Sequence, residues 1–142
     1  MDIYFSCSIT GGRRDQRIYA SMVDYMKRHG HRVLTAHLAG EDVIMEETLV
    51  DAREVYRRDV EWVESCGALV AEVSTPSHGV GYEIALALLR GKAVLCCYRA
   101  DQTVSKMILG NTHPKLTLCA YHELADLQAA LGTFLQRAEA RR

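Results

Sequence analysis

Two acidic residues stand where acids are expensive. Glu83 lies in Val70 to Ala87, VAEVSTPSHGVGYEIALA, and its neighbours three and four positions away are Val80, Gly79, Leu86 and Ala87. Asp59 is flanked at the same spacings by Val55, Tyr56, Trp62 and Val63. On a helix both carboxylates project from otherwise apolar faces. A single such acid is as well explained by a cap or an arginine that satisfies it as by chemistry. Two on converging elements suit acid–base or nucleophilic work at a glycosidic carbon. The spacing predicts a helix that restarts after Gly79-Val80-Gly81, with Glu83 in or near its first turn. Glu83 is then favoured as the anion and better nucleophile. Asp59, between Tyr56 and Trp62, is biased by desolvation toward the protonated form, a proton donor or orienter.

Around these acids are groups suited to an anion. A strand, a turn of small residues at Ser74-Thr75-Pro76-Ser77 and a helix start form an anion site, because the first helical amides lack internal partners. Ser77 is a natural helix cap and is equally placed to donate to a phosphate. Thr10-Gly11-Gly12 is a second turn that lets backbone approach a ligand, and Arg13 and Arg14 follow it. Surface solvation is the ordinary state of such arginines, and core packing that of Tyr4, whose buried hydroxyl would need a partner such as a crevice carboxylate. The six histidines show no metal-ligand spacing, and no Walker loop, GxGxxG fingerprint, nucleophile elbow or zinc motif is present. No metal and no cofactor are expected.

The elements that must carry these groups alternate. Strands are predicted at Ile3–Ile9, His31–Ala36, Ala68–Val73, Lys92–Tyr98 and Leu116–Tyr121. Helices are predicted at Arg13–His29, Thr48–Ser65, from Gly81 to Gly91 and at Glu123–Ala140, with one turn at Ser105–Gly110. Residues His37 to Glu47 read as a mobile surface loop. Five strand–helix alternations predict an α/β fold, a flavodoxin- or Rossmann-like five-stranded parallel sheet with helices on both faces. The ligand then sits outside the carboxyl ends of the strands, where the Ser8–Gly12 and Ser74–Gly81 turns face one crevice. At 142 residues one domain spanning 1–142 is expected. A net charge of -1 leaves no global attraction to nucleic acid or membrane, so phosphate recognition must be local. An odd count of five cysteines without CxxC spacing, and no secretory leader, predict reduced thiols and a cytoplasmic setting.

Taken together, Tyr4-Phe5-x-x-Ser8-Ile9-x-Gly11-Gly12-Arg13, Asp59-x-Glu61-Trp62 and Val70-Ala71-Glu72-Val73-x-x-Pro76-Ser77-x-Gly79-Val80-Gly81-Tyr82-Glu83 resemble the nucleoside 2-deoxyribosyltransferase superfamily. Within it the chain is most similar to the 2'-deoxynucleoside 5'-phosphate N-hydrolases. The resemblance implies cleavage of a deoxynucleoside monophosphate to free base and 2-deoxyribose 5-phosphate. It makes Glu83 the nucleophile that forms a deoxyribosyl ester, Asp59 the proton-transfer partner and Tyr4 the group that holds Glu83 in line. It places Ser77 and Gly79 at the 5'-phosphate, and Ser8, Ile9, Gly11, Gly12, Arg13 and His37 along the nucleotide pocket. Ser105, in Val104-Ser105-Lys106-Met107, would be lent with Met107 by the neighbouring subunit of a homodimer. Cys7 and His78 depart from the family pattern and leave the base preference open. Alternatives are a deoxyribosyltransferase, a ribonucleotide N-glycosidase acting on a pyrimidine monophosphate, and a nucleotide-binding sensor without turnover.

Overall fold

The computed structural model describes residues 1–9, 14–40 and 48–140. Five strands form one sheet: β1 (Asp2–Ser6), β2 (Arg32–Val33), β3 (Ala68–Glu72), β4 (Ala93–Arg99) and β5 (Leu116–Tyr121). Their order is β2-β1-β3-β4-β5 and every pairing is parallel. This is the flavodoxin-like order expected from the alternation. Between the strands run α1 (Gln16–Arg28), α2 (Ala52–Ser65), α3 (His78–Leu89), the single turn α4 (Lys106–Leu109) and, last, α5 (Leu124–Ala140).

The strands are buried on both faces, so their residues sort by parity rather than by polarity. Ile3, Phe5, Val70, Leu95 and Cys97 face one apolar layer, which holds Tyr19, Met22 and Met26 of α1 and Leu127 and Leu131 of α5. Tyr4, Leu69, Ala71, Val94 and Cys96 face the other, which holds Val63 of α2 and Val80, Ile84 and Ala87 of α3. Tyr4 therefore points to the α2–α3 side, and so does every group that reaches the acids from β1.

β1 ends at Ser6 instead of Ile9 and α1 starts at Gln16 instead of Arg13; three further boundaries differ from expectation, each for a local reason. β2 ends at Val33 because the Thr35 side chain takes the next ladder position: its Oγ accepts from Phe5 N at 2.9 Å and donates to Phe5 O at 2.6 Å. The chain then makes a turn of 3-10 helix over Ala36–Ala39 that buries Leu38 and Ala39, so the predicted loop begins as core. Its residues 41–47 lie outside the described residues. α2 starts at Ala52, not Thr48, because Asp51 caps it and accepts from Arg53 N at 2.9 Å.

The third difference concerns the site. Ser77 caps α3, as its residue type suggested, and accepts from Val80 N at 3.4 Å, which places the helix start ahead of the glycine turn. The helix therefore begins at His78, with Gly79 and Gly81 inside it. A good cap outweighed two glycines as the start signal. Glu83 falls in the second turn, beyond the reach of the helix end that was expected to favour its anion.

Candidate active site

β1 and α3 meet at Glu83. In a strand, residues two apart share a face, and Tyr4 and Ser6 use this to grip one carboxylate. The Tyr4 hydroxyl donates to Glu83 Oε1 at 2.9 Å, and the Ser6 hydroxyl donates to Oε2. Both donors are fully buried while Glu83 is half-buried, so its oxygens are held from below and open above. Sequence reasoning named Tyr4 and missed Ser6; the signal was its period-two relation to Tyr4.

Burial dominates the electrostatics. It pushes the Glu83 carboxyl up to about 7, against the Ser6 and Tyr4 hydrogen bonds that favour the anion. The nearby charge of Asp59 raises it further and that of Arg58 lowers it. The expectation of a carboxylate kept readily ionised by a helix end is thus corrected: desolvation wins, and Glu83 is divided between both forms near neutrality. The Tyr4 phenol is pushed far above its ordinary range, by burial first and then by the charges of Glu83 and Asp59, and remains a donor.

Asp59 stands on α2 with Arg58 as its neighbour in sequence and in space. Arg58 Nε donates to Asp59 Oδ1 at 2.9 Å. The guanidinium also lies 4.9 Å from the centre of the Trp62 ring, one helical turn on. Asp59 is therefore the partner of a cation, not the isolated apolar acid that its flanking residues suggested. Arg58 was missed because adjacent helix residues ordinarily point apart.

Asp59 and Glu83 line a cavity of about 400 Å³ with Cys7, Ile9, Leu38, Arg58, Ser77 and Gly79. Ser77, Gly79, Asp59 and Glu83 are thus brought together, with Ile9, which the resemblance placed in the pocket, beside them and Tyr4 beneath. Cys7, flagged as a departure, forms part of the wall. A smaller cavity of about 240 Å³ opens between α2 and α3 on the same two acids and Gly79, rimmed by Tyr56 and Tyr82.

Other expected residues lie elsewhere. Ser105 and Met107 line a separate cavity of about 640 Å³, which shares Ser77 and Val80 with the first. There Ser105 caps α4, and Met107 is 84% exposed. His37 does not line the cavity of the acids; its ring meets Trp62 edge-on at 5.9 Å, while its neighbour Leu38 takes the wall. Ser8 is fully buried, and its hydroxyl has no hydrogen-bond partner among the described residues. Gly11, Gly12 and Arg13 lie outside the described residues. Among the described residues no cluster of three or more His, Cys, Asp or Glu could hold a metal ion.

The turn before α3 is anchored from behind by two buried acids. Glu72, at the end of β3, accepts from the Ser74 hydroxyl and from the Tyr121 hydroxyl at 2.9 Å, and Ser74 N donates to it at 3.3 Å. Burial raises the Glu72 carboxyl despite these donors. Asp15, 1% exposed in its side chain, pairs with Arg99 and accepts from the Thr75 hydroxyl at 3.1 Å. Ser74 and Thr75 are thus fixed to three strands, which sets where Ser77 and α3 begin.

The family model described as nucleoside 2-deoxyribosyltransferase matches residues 3–124. A protein of Nematostella vectensis that carries the provisional name 2'-deoxynucleoside 5'-phosphate N-hydrolase 1 is 42% identical over 137 residues, covering 93% of this chain and 92% of its own. A Rattus norvegicus protein named 5-hydroxymethyl-dUMP N-hydrolase is 39% identical over 112 residues, 76% of this chain and 68% of its own. The solved structure of the Clostridium botulinum CMP N-glycosidase BcmB superposes with a TM-score of 0.68 at 15% identity, covering 93% of this chain and 99% of that one, and supports the fold. With the family model spanning nearly the whole chain and these relatives alike over most of their length, the chain belongs to the nucleoside 2-deoxyribosyltransferase family.

Proposed function

We propose that the protein hydrolyses the N-glycosidic bond of 2'-deoxynucleoside 5'-monophosphates, releasing the base and 2-deoxyribose 5-phosphate. The observation that carries this reading is the grip of Tyr4 and Ser6 on Glu83, beside Asp59, in a cavity that reaches the α3 cap at Ser77. The names of the relatives support the substrate class. As the base departs, the sugar carbon takes on oxocarbenium character, and the open side of the Glu83 carboxylate stabilises and then captures it. Asp59 moves a proton to the leaving base and later takes one from water, with Arg58 holding its orientation. Water resolves the glycosyl ester.

Ser77 and the first amides of α3 bind the 5'-phosphate. A homodimer completes the site, with Ser105 and Met107 of one subunit covering the nucleotide in the other. The 84% exposure of Met107, with Tyr82 at 53% and Tyr56 at 58%, supports a covered face there. Five cysteines without a disulfide support a reducing, cytoplasmic setting.

The test incubates the purified protein with dGMP, GMP, deoxyguanosine and 5-hydroxymethyl-dUMP, with and without added adenine, and separates the products. Base released from deoxynucleotides alone, and lost in Glu83→Gln, is the expected result. Deoxyadenosine products on adding adenine would make it a transferase, and release from GMP a ribonucleotide glycosidase. Binding without release from any of them would make it a sensor.

A further inference from the structure

On the opposite face of the sheet from Glu83 two cysteines stand side by side. Cys97 of β4 and Cys119 of β5 are register partners in the parallel pairing. In-register residues project to one face, here the layer under α1 and α5. Neighbouring strands run about 4.8 Å apart, inside the roughly 4.4–6.8 Å of Cα separation that a disulfide bridges. Cys97 is fully buried, whereas Cys119 is half-buried and lines a cavity of about 520 Å³ between β5 and α5, together with Lys115, Thr133 and Arg137.

The two thiols are chemically unlike. The neighbouring Cys97 thiol holds the Cys119 thiol down to about 7, against its own partial burial and the charge of Asp126 at the start of α5. The same pairing with Cys119, then burial and the charges of Cys119, Cys96 and Glu72, holds Cys97 well above the ordinary thiol range. Lys115, whose ammonium donates to Gly91 O, and Arg137 are the cations that line the same cavity. An open thiolate beside a buried thiol has the layout of an attacking and a resolving sulfur. Cys96 is an internal control: it is next in sequence, points to the other face, and burial alone pushes it up to about 12.

We propose that Cys119 is a modification site for hydroperoxides and that Cys97 resolves it into a reversible cross-strand disulfide. The Cys119 thiolate attacks one peroxide oxygen, and the O–O bond breaks. Cys119 becomes a sulfenic acid, and the departing oxygen takes a proton from solvent and leaves as water or alcohol. Cys97 sulfur then attacks Cys119 sulfur, its proton passes to the departing hydroxyl, and a second water leaves. For hydrogen peroxide, two thiols and one peroxide give one disulfide and two waters. Cβ atoms joined by a disulfide sit about 3.8 Å apart, closer than in-register neighbours, so closure draws the strands together and the bond is readily reduced. The inference is independent of the proposed reaction.

The test treats the reduced full-length protein with hydrogen peroxide at pH 7 and maps its peptides without reductant. Two of the five thiols should disappear, with Cys97 and Cys119 in one linked peptide that dithiothreitol separates. In Cys97→Ser the Cys119 sulfenic acid should persist and be captured by dimedone. Iodoacetamide should label Cys119 of the native protein with a pH midpoint near 7, while Cys96 stays unlabelled. Five surviving thiols, linkage elsewhere, or labelling of Cys96 as fast as Cys119 would overturn the proposal. The wild-type peptide map decides it even if a variant fails to fold.

Discussion

Tyr4 and Glu83 are 79 residues apart in sequence and 2.9 Å apart in space. The phenol donates to one oxygen and Ser6 donates to the other, so partial rotation of the carboxylate weakens both bonds. A nucleophile fixed in this way spends little entropy on alignment when the sugar arrives.

Removing one donor should therefore alter chemistry more than binding. Tyr4→Phe withdraws a hydrogen bond to a charged group, worth about 1.5–3 kcal/mol. At pH 7 kcat/KM should fall roughly 10- to 100-fold with little change in substrate affinity. Steady-state kinetics with a binding measurement on Glu83→Gln as reference checks this; an unchanged kcat would remove Tyr4 from the mechanism.

Glu83 attacks only as the anion, and burial holds its carboxyl up to about 7. The pH profile of kcat/KM should accordingly rise with pH and level off above an apparent value near 7. Ser6→Ala and Tyr4→Phe each remove a group that favours the anion, so each should move this limb to higher pH. A limb in the ordinary carboxylate range would contradict the burial seen at the site.

The same shift has a cost in stability, with a defined sign. The folded state holds the Glu83 proton more tightly than the unfolded chain, so stability contributed at low pH is lost as pH rises from 4.5 through about 7. Above that window the buried charge costs on the order of 3 kcal/mol. Glu83→Gln should gain on the wild type as pH rises, matching it near pH 4 and exceeding it at pH 8. Thermal melts across that range are the measurement, and a constant difference would sink the idea.

Ser77 has two duties that kinetics can separate. As the α3 cap its loss costs about 1 kcal/mol of stability. As a phosphate donor its loss should raise KM for deoxynucleoside monophosphates several-fold with little change in kcat. Ser77→Gly is the control, because glycine retains most of the capping preference and none of the hydroxyl.

The architecture was legible because parallel strands and their helices carry long apolar runs with turns between them. Asp59 and Glu83 were legible because an acid in an apolar stripe is conspicuous. What the sequence did not disclose depends on distance across the fold. Ser6 becomes a partner of Glu83 only once β1 pairs with β3 and α3 packs on both. Arg58 turns toward Asp59 because Trp62 gives its guanidinium a surface to lie on. Leu38 enters the cavity wall because Thr35 halts β2 at Val33. The ionisation of Glu83 was misjudged because the cap at Ser77 moved the helix start, and burial then outweighed the helix end.

The parallel sheet with β1 at its interior has a consequence for how activity first arises. Tyr4 pairs in register with Leu69 and bonds Glu83, so the carboxylate grip closes only after long stretches of chain have met. Such nonlocal contacts are reached late, after helices that form locally. During refolding, helical signal should therefore return ahead of catalysis. A chain released before α3 is complete would have strand β1 in place with nothing for its two hydroxyls to hold.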